Sequence, residues 1–138
     1  MGYYSDFGLR LELREDKGKG YLQDLFTLFL KEEKLEDLFE DLEWLDFEDL
    51  FQEINYYERE TNTKDILYTF DIKGYGLKFY SDFDYDGKWV EEFVNWLNDK
   101  EICGLHFIRI GEDYTDIEEI SNDYIYFYCG LKREIEFN

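Results

Sequence analysis

The chain has 138 residues, of which 35 are Asp or Glu and 15 are Lys or Arg, so its formal net charge is -20. Charge of this sign repels phosphate backbones and anionic lipid surfaces, which argues against direct nucleic-acid binding and against a membrane-surface role. Because 44% of the residues are hydrophobic and 21% are aromatic, the chain can bury enough apolar surface to fold, and its length fits one domain.

The first half of the chain predicts a strand followed by helices. Apolar and charged residues alternate from Phe7 to Leu13, which indicates a strand with one buried face. From Tyr21 to about Tyr57 the apolar residues follow helical spacing. Asp46 precedes a second apolar run and resembles a helix N-cap. We therefore expect two or three short helices in this region.

The second half predicts a helix and further strands. A hairpin is expected around Gly74 and Gly76, and a helix over Trp89–Leu97. The alternating tyrosines of Tyr124–Cys129 are expected to pack in the core, because both faces of that run are apolar. The predicted strands are Ile66–Ile72, Leu77–Phe83, Leu105–Ile110, Tyr124–Cys129 and Leu131–Phe137. This order predicts a single α+β domain, residues 1–138, with a mainly antiparallel sheet and an acidic helical segment inserted after the first strand.

Targeting and redox features are few. Residues 1–7 have neither the basic start nor the apolar stretch of a secretion signal, and no run approaches the roughly 18 apolar residues of a membrane span. A cytoplasmic protein is expected. Cys103 and Cys129 lie in apolar runs and are predicted to be buried, reduced thiols.

Uncompensated acid is the strongest feature of the sequence. Between Glu32 and Glu58 there are twelve acidic residues and one base, Lys34. In helical form this stretch would carry one net negative charge per roughly 3.7 Å, similar to the roughly 3.4 Å per phosphate along one DNA strand. A second group, Glu112 to Asp123, contains no base, and Asp82, Asp84 and Asp86 form a third.

These groups could converge on one anionic face. Most charge runs are merely solvated faces of amphipathic elements, but such helices usually pair Glu with Lys at i, i+4, and this one scarcely does. The residues predicted to bind a partner are Glu36, Asp37, Glu40, Asp41, Glu43, Asp46, Glu48, Asp49, Glu112, Asp113, Asp116, Glu118 and Glu119.

Catalytic and metal motifs are scarce. His106 is the only histidine and lies within a predicted strand, which favours a structural role. A nucleophilic pair would need a cysteine beside it. Asp82, Asp84, Asp86 and Gly87 match the first half of a calcium-binding EF-hand loop, but Phe93 stands where that loop needs a bidentate Glu. An Asp-Gly turn before the next helix is favoured, and no cofactor or metal is expected.

In size, acidity and lack of catalytic motifs, the chain resembles the nucleic-acid-mimicking inhibitors that phages and mobile elements use against host defences, of the anti-CRISPR and anti-restriction type. The resemblance rests on the charge pattern of Glu32 to Glu58 and Glu112 to Asp123. It implies a non-enzymatic inhibitor in the host cytoplasm. Its partner would be a basic nucleic-acid-binding protein or ribonucleoprotein, such as a nuclease or CRISPR effector.

Two alternatives remain open from the sequence. An immunity protein that neutralises a basic toxin nuclease would need the same surface. A small enzyme or metal-binding domain would use His106 or the Asp82 to Asp86 loop.

Overall fold

The fold is α+β, with a five-stranded antiparallel sheet and a helical layer. The computed structural model describes residues 3–113, 115–131 and 135–137. Within them, the elements in chain order are β1 (Ser5–Leu13), α1 (Tyr21–Glu32), α2 (Glu36–Asp41), α3 (Phe47–Leu50), β2 (Glu53–Glu60), β3 (Ile66–Leu77), α4 (Asp86–Lys100), β4 (Gly104–Gly111), β5 (Ile117–Ser121), β6 (Gly130–Leu131) and β7 (Ile135–Glu136). The predicted fold class and the helices inserted after the first strand are confirmed.

The strand order of the sheet is β2-β3-β1-β4-β5, so the first strand lies at its centre. Ser5 pairs with Leu77 on one side and with Gly111 on the other. Glu53, at the start of β2, pairs with Lys73. The sheet end where β1 begins therefore also holds the start of β2, the end of β3 and the turn between β4 and β5.

The helices cover one face of the sheet and enclose an aromatic core. Phe26 of α1 packs against Phe39, Phe47, Phe51 and Phe93, with ring centroids 5.3–5.7 Å apart. Full burial of a ring, as for Phe26, Phe51 and Phe93, contributes roughly 1.5–3 kcal/mol. One residue of α1 therefore connects the short helices to α4, which explains why elements of four and six residues are held in place.

The opposite face of the sheet is covered by residues 122–131, here called the strap. Side chains of the sheet hold its backbone. Glu12 accepts the Phe127 N–H at 3.0 Å, and the Arg10 guanidinium donates to the Phe127 carbonyl at 3.2 Å. Nδ1 of His106 accepts the Cys129 N–H at 2.8 Å. These buried polar groups replace the strand ladder that would otherwise satisfy the backbone.

The strap corrects the prediction for Tyr124–Cys129. The segment is not a strand, and Tyr124, Tyr126 and Tyr128 point outward with 58%, 39% and 52% of their surface exposed. Ile125 and Cys129 are the buried residues of this segment. Alternation therefore marks an inner and an outer side here, although no strand ladder forms.

Residues 53–60 correct the predicted end of the helical region. The three short helices are confirmed, but they end at Leu50, and Glu53–Glu60 is a strand paired with β3. Ile54 and Tyr56 are two residues apart, which is the period of a strand and not of a helix, and both residues pair with β3.

The predicted hairpin at Gly74 is also wrong, because β3 runs unbroken through that glycine and its hairpin partner is β2. Gly74 is required by packing: an added Cβ would overlap the Phe7 ring and lie 2.8 Å from the Leu50 carbonyl oxygen.

The remaining differences lie near the C-terminus. The strand Ile117–Ser121 was not expected, although the β4 and α4 predictions are confirmed. In place of one strand over Leu131–Phe137, the chain forms the two-residue strands β6 and β7. Part of that prediction, residues 132–134, lies outside the described residues.

Candidate binding surface

The acidic segment, residues 36–49, contains α2, α3 and the turn between them. It carries eight carboxylates and no Lys or Arg. Its apolar residues secure it: Leu45 and Leu50 are buried, and Phe39 packs on Trp89 with centroids 5.1 Å apart. Because these residues take the inner positions, all eight acids are exposed: Glu36, Asp37, Glu40, Asp41, Glu43, Asp46, Glu48 and Asp49.

Two of these acids have a local structural role. Asp46 is the N-cap of α3, and the Asp49 carboxylate accepts the Asp46 N–H at 2.8 Å. The other six form no hydrogen bond or ion pair with any described part of the chain; they are Glu36, Asp37, Glu40, Asp41, Glu43 and Glu48. No described Lys or Arg forms an ion pair that would neutralise their charge.

The second predicted group, in the β4–β5 hairpin, differs because a base lies within it. Arg109 of β4 donates to Asp116 at 2.9 Å and to Glu118 at 3.2 Å. Its hydrogen bonds hold the pKa of Asp116 below the usual value. The sequence signal for this neutralisation is weak, since Arg109 lies outside the acidic run and reaches it only through strand pairing.

The other acids of this hairpin also have intramolecular partners. Glu112 accepts the Tyr4 N–H at 2.8 Å, and Asp113 accepts the Thr115 N–H, which lowers the pKa of Asp113. Glu119 lies 2.5 Å from Nε2 of His106. Five of the thirteen predicted residues therefore have contacts that serve the fold of the hairpin.

The sheet registers place the acidic groups near one end of the strands, but at different positions across the width of the sheet. The acidic segment leads into β2, whereas the hairpin ends on β5, and four interstrand spacings separate these edges, or roughly 19 Å. The Asp82 to Asp86 loop leads into α4, where Trp89 contacts both Phe83 of the loop and Phe39 of the acidic segment.

Two lysines near this end already have intramolecular partners. Lys78 lies over the Tyr4 ring, 5.3 Å from its centroid, and Lys88 forms an ion pair with Glu92 at 2.6 Å.

The loop before α4 matches the favoured Asp-Gly turn. The Asp86 carboxylate accepts the N–H groups of Lys78 and Gly87 at 2.7 and 2.9 Å. Within the described ranges, no group of three or more His, Cys, Asp or Glu is arranged to hold a metal ion. Asp86 thus fixes the start of the helix.

His106 and the cysteines occupy structural positions. Since Nδ1 of His106 accepts a backbone N–H, its proton lies on Nε2 and is donated to Glu119. Burial raises the pKa of the Cys103 and Cys129 thiols to about 12. Neither thiol is an activated nucleophile at neutral pH, because the thiolate is the reactive form.

Trp44 is a surface residue that the sequence did not single out. It lies in the turn between α2 and α3 with 57% of its surface exposed, among the acids of the segment. The sequence does indicate this exposure, because Trp44 falls between the inward-facing positions of Leu42 and Leu45.

Comparisons with known proteins identify no relative. No family model, curated protein or solved structure matches the chain. None of the helices in the described part of the chain is both long and apolar enough to cross a membrane.

Proposed function

We propose that this protein is a stoichiometric anti-defence inhibitor, of the anti-CRISPR or anti-restriction type, that occupies the basic nucleic-acid channel of a nuclease or effector complex. The observation that supports this proposal is the acidic segment: six exposed carboxylates without an intramolecular partner in the described chain, and no base among residues 36–49. The β4–β5 hairpin contributes the outer rim of the same anionic end.

Like charges on α2 weaken the helix that carries them. Glu36 with Glu40, and Asp37 with Asp41, are i, i+4 pairs, and each costs about 0.2–0.5 kcal/mol of helix stability. No described Lys or Arg forms an ion pair with these four acids. A channel lined with Lys and Arg would relieve it, and long-range attraction would raise the association rate at low salt.

The structural roles of the alternative catalytic residues favour binding over catalysis. His106 uses both ring nitrogens to hold the strap and Glu119, and Asp86 fixes the start of α4. The acids of the segment, in contrast, form no side-chain hydrogen bond or ion pair with the described chain beyond the capping contacts of Asp46 and Asp49.

The test is a cleavage assay with purified basic targets: CRISPR effector ribonucleoproteins, restriction nucleases and toxin nucleases, each incubated with the protein before DNA or RNA is added. One variant reverses Glu36, Asp37, Glu40 and Asp41 to Lys. A matched control reverses four exposed acids elsewhere, Glu58, Glu60, Asp99 and Asp123. Each variant changes the net charge by eight, from -20 to -12, so only the position of the charge differs.

Wild type and the control variant are expected to inhibit one target class, and the segment variant is expected to lose inhibition. Prior binding of nucleic acid should protect the target, because both ligands need the same channel. Equal inhibition by the two variants would reject the acidic segment as the binding surface. Inhibition confined to a toxin nuclease would instead identify an immunity protein.

A further inference from the structure

Trp44 differs from the other two tryptophans of the chain. Trp89 and Trp96 are 0% and 4% exposed, whereas Trp44 is 57% exposed. Its indole makes no ring contact with any described aromatic or basic side chain. Single apolar residues are common on protein surfaces, so exposure alone does not indicate a site.

The turn holds Trp44 outward in a defined place. Leu45 is 3% exposed, its N–H donates to the Leu42 carbonyl at 2.9 Å, and Leu42 packs against the core. Because the residues on both sides of Glu43 and Trp44 are anchored inward, the indole has no inner position to take. A rigid turn presents a large side chain at little loss of conformational entropy on binding.

Charge around Trp44 limits what can cover it. Every charged residue between positions 36 and 49 is acidic, so a second copy of the chain or an acidic partner would be repelled. A basic surface is complementary, and the face of an indole attracts Arg and Lys cations, Arg most often. Tryptophan and arginine are also among the residue types most enriched at the energetic centres of interfaces.

We propose that Trp44 is the anchor of the acidic segment, packing against an arginine side chain of a basic protein partner. This inference rests on the proposed function and adds a specific contact to it. The carboxylates attract and orient the partner, and the indole provides the contact that slows dissociation and favours Arg over Lys.

The experiment measures binding of nona-arginine and nona-lysine peptides at several salt concentrations, by calorimetry and by tryptophan fluorescence. Trp44 is the accessible tryptophan, so its emission reports contact with the peptide. Wild type is expected to bind nona-arginine more tightly than nona-lysine. Trp44→Ala and Trp44→Leu should weaken nona-arginine binding about three- to tenfold, and should remove most of the preference for arginine.

Tyr124→Ala is the matched control, since Tyr124 is 58% exposed on the strap, outside the acidic segment. It should leave both affinities unchanged. If both Trp44 variants bind like wild type while the four-acid reversal loses binding, the anchor proposal is wrong and the proposed surface stands. If the four-acid reversal also binds like wild type, the surface itself is wrong. Circular dichroism and thermal unfolding establish that each variant is folded.

Discussion

The buried ion pair beneath the strap makes a quantitative prediction. Arg10 has no exposed surface, and its guanidinium donates to both carboxylate oxygens of Asp71 at 2.7 and 3.0 Å. Tyr57 donates to the same carboxylate at 2.6 Å. Replacing Asp71 with Leu removes the bidentate carboxylate and leaves a desolvated cation, which costs about 3–5 kcal/mol.

The corresponding melting shift follows from chain length. The entropy of unfolding is about 2.1 cal/mol/K per residue, so for 138 residues each kcal/mol lowers Tm by about 3–4 °C. Asp71→Leu should therefore melt about 10–17 °C below wild type. The double variant Arg10→Met with Asp71→Leu should recover much of this loss, since a buried ion pair can often be replaced by apolar side chains at small net cost.

Urea unfolding and calorimetry of wild type, both single variants and the double variant give the coupling free energy. Glu92→Gln is the control: its ion pair with Lys88 is partly exposed, and its loss should cost less than about 1 kcal/mol. An Asp71→Leu protein within about 1 kcal/mol of wild type would refute the reasoning. A double variant that is no more stable than Asp71→Leu alone would also refute it.

Two further predictions concern packing and pH. Gly74→Ala should destabilise the protein by about 1–3 kcal/mol in urea unfolding, because the added Cβ would overlap the Phe7 ring. Gly20→Ala is the control: its added Cβ would meet nothing within 4 Å, so the free energy of unfolding should change by less than about 0.5 kcal/mol. The hydrogen bonds from Arg109 depress the pKa of Asp116, so the stability they contribute is present above the unfolded pKa of about 3.9 and is lost as pH falls through the lower folded value. Arg109→Met should therefore be less stable than wild type at pH 7, by a margin that narrows on acidification from about pH 5 to pH 2; a margin independent of pH would contradict this assignment.

Local periodicity determined a substantial part of the fold. The alternation of Phe7–Leu13 identified β1 as a strand, but the expectation of one buried face is wrong, since the strap buries Arg10 and Glu12 on the other face. This alternation and the spacing of Trp89–Leu97, which identified α4, were readable because apolar side chains that face the helical core recur with a fixed period. The exposure of the acids in residues 36–49 was predictable for the same reason: the apolar positions face the core and leave the carboxylates outside.

Contacts between distant residues decided the rest. The tyrosine run became a strap because Arg10, Glu12 and His106, from two different strands, bind its backbone. Cross-strand pairing brings Arg109 beside the acids of β5, which makes that group less negative than its composition suggests. The sequence by itself determined which apolar residues of the regular elements are buried and how much charge lies on the surface. Only the tertiary structure decided which carboxylates remain without a partner, because strand pairing and buried polar contacts depend on residues far apart in the chain.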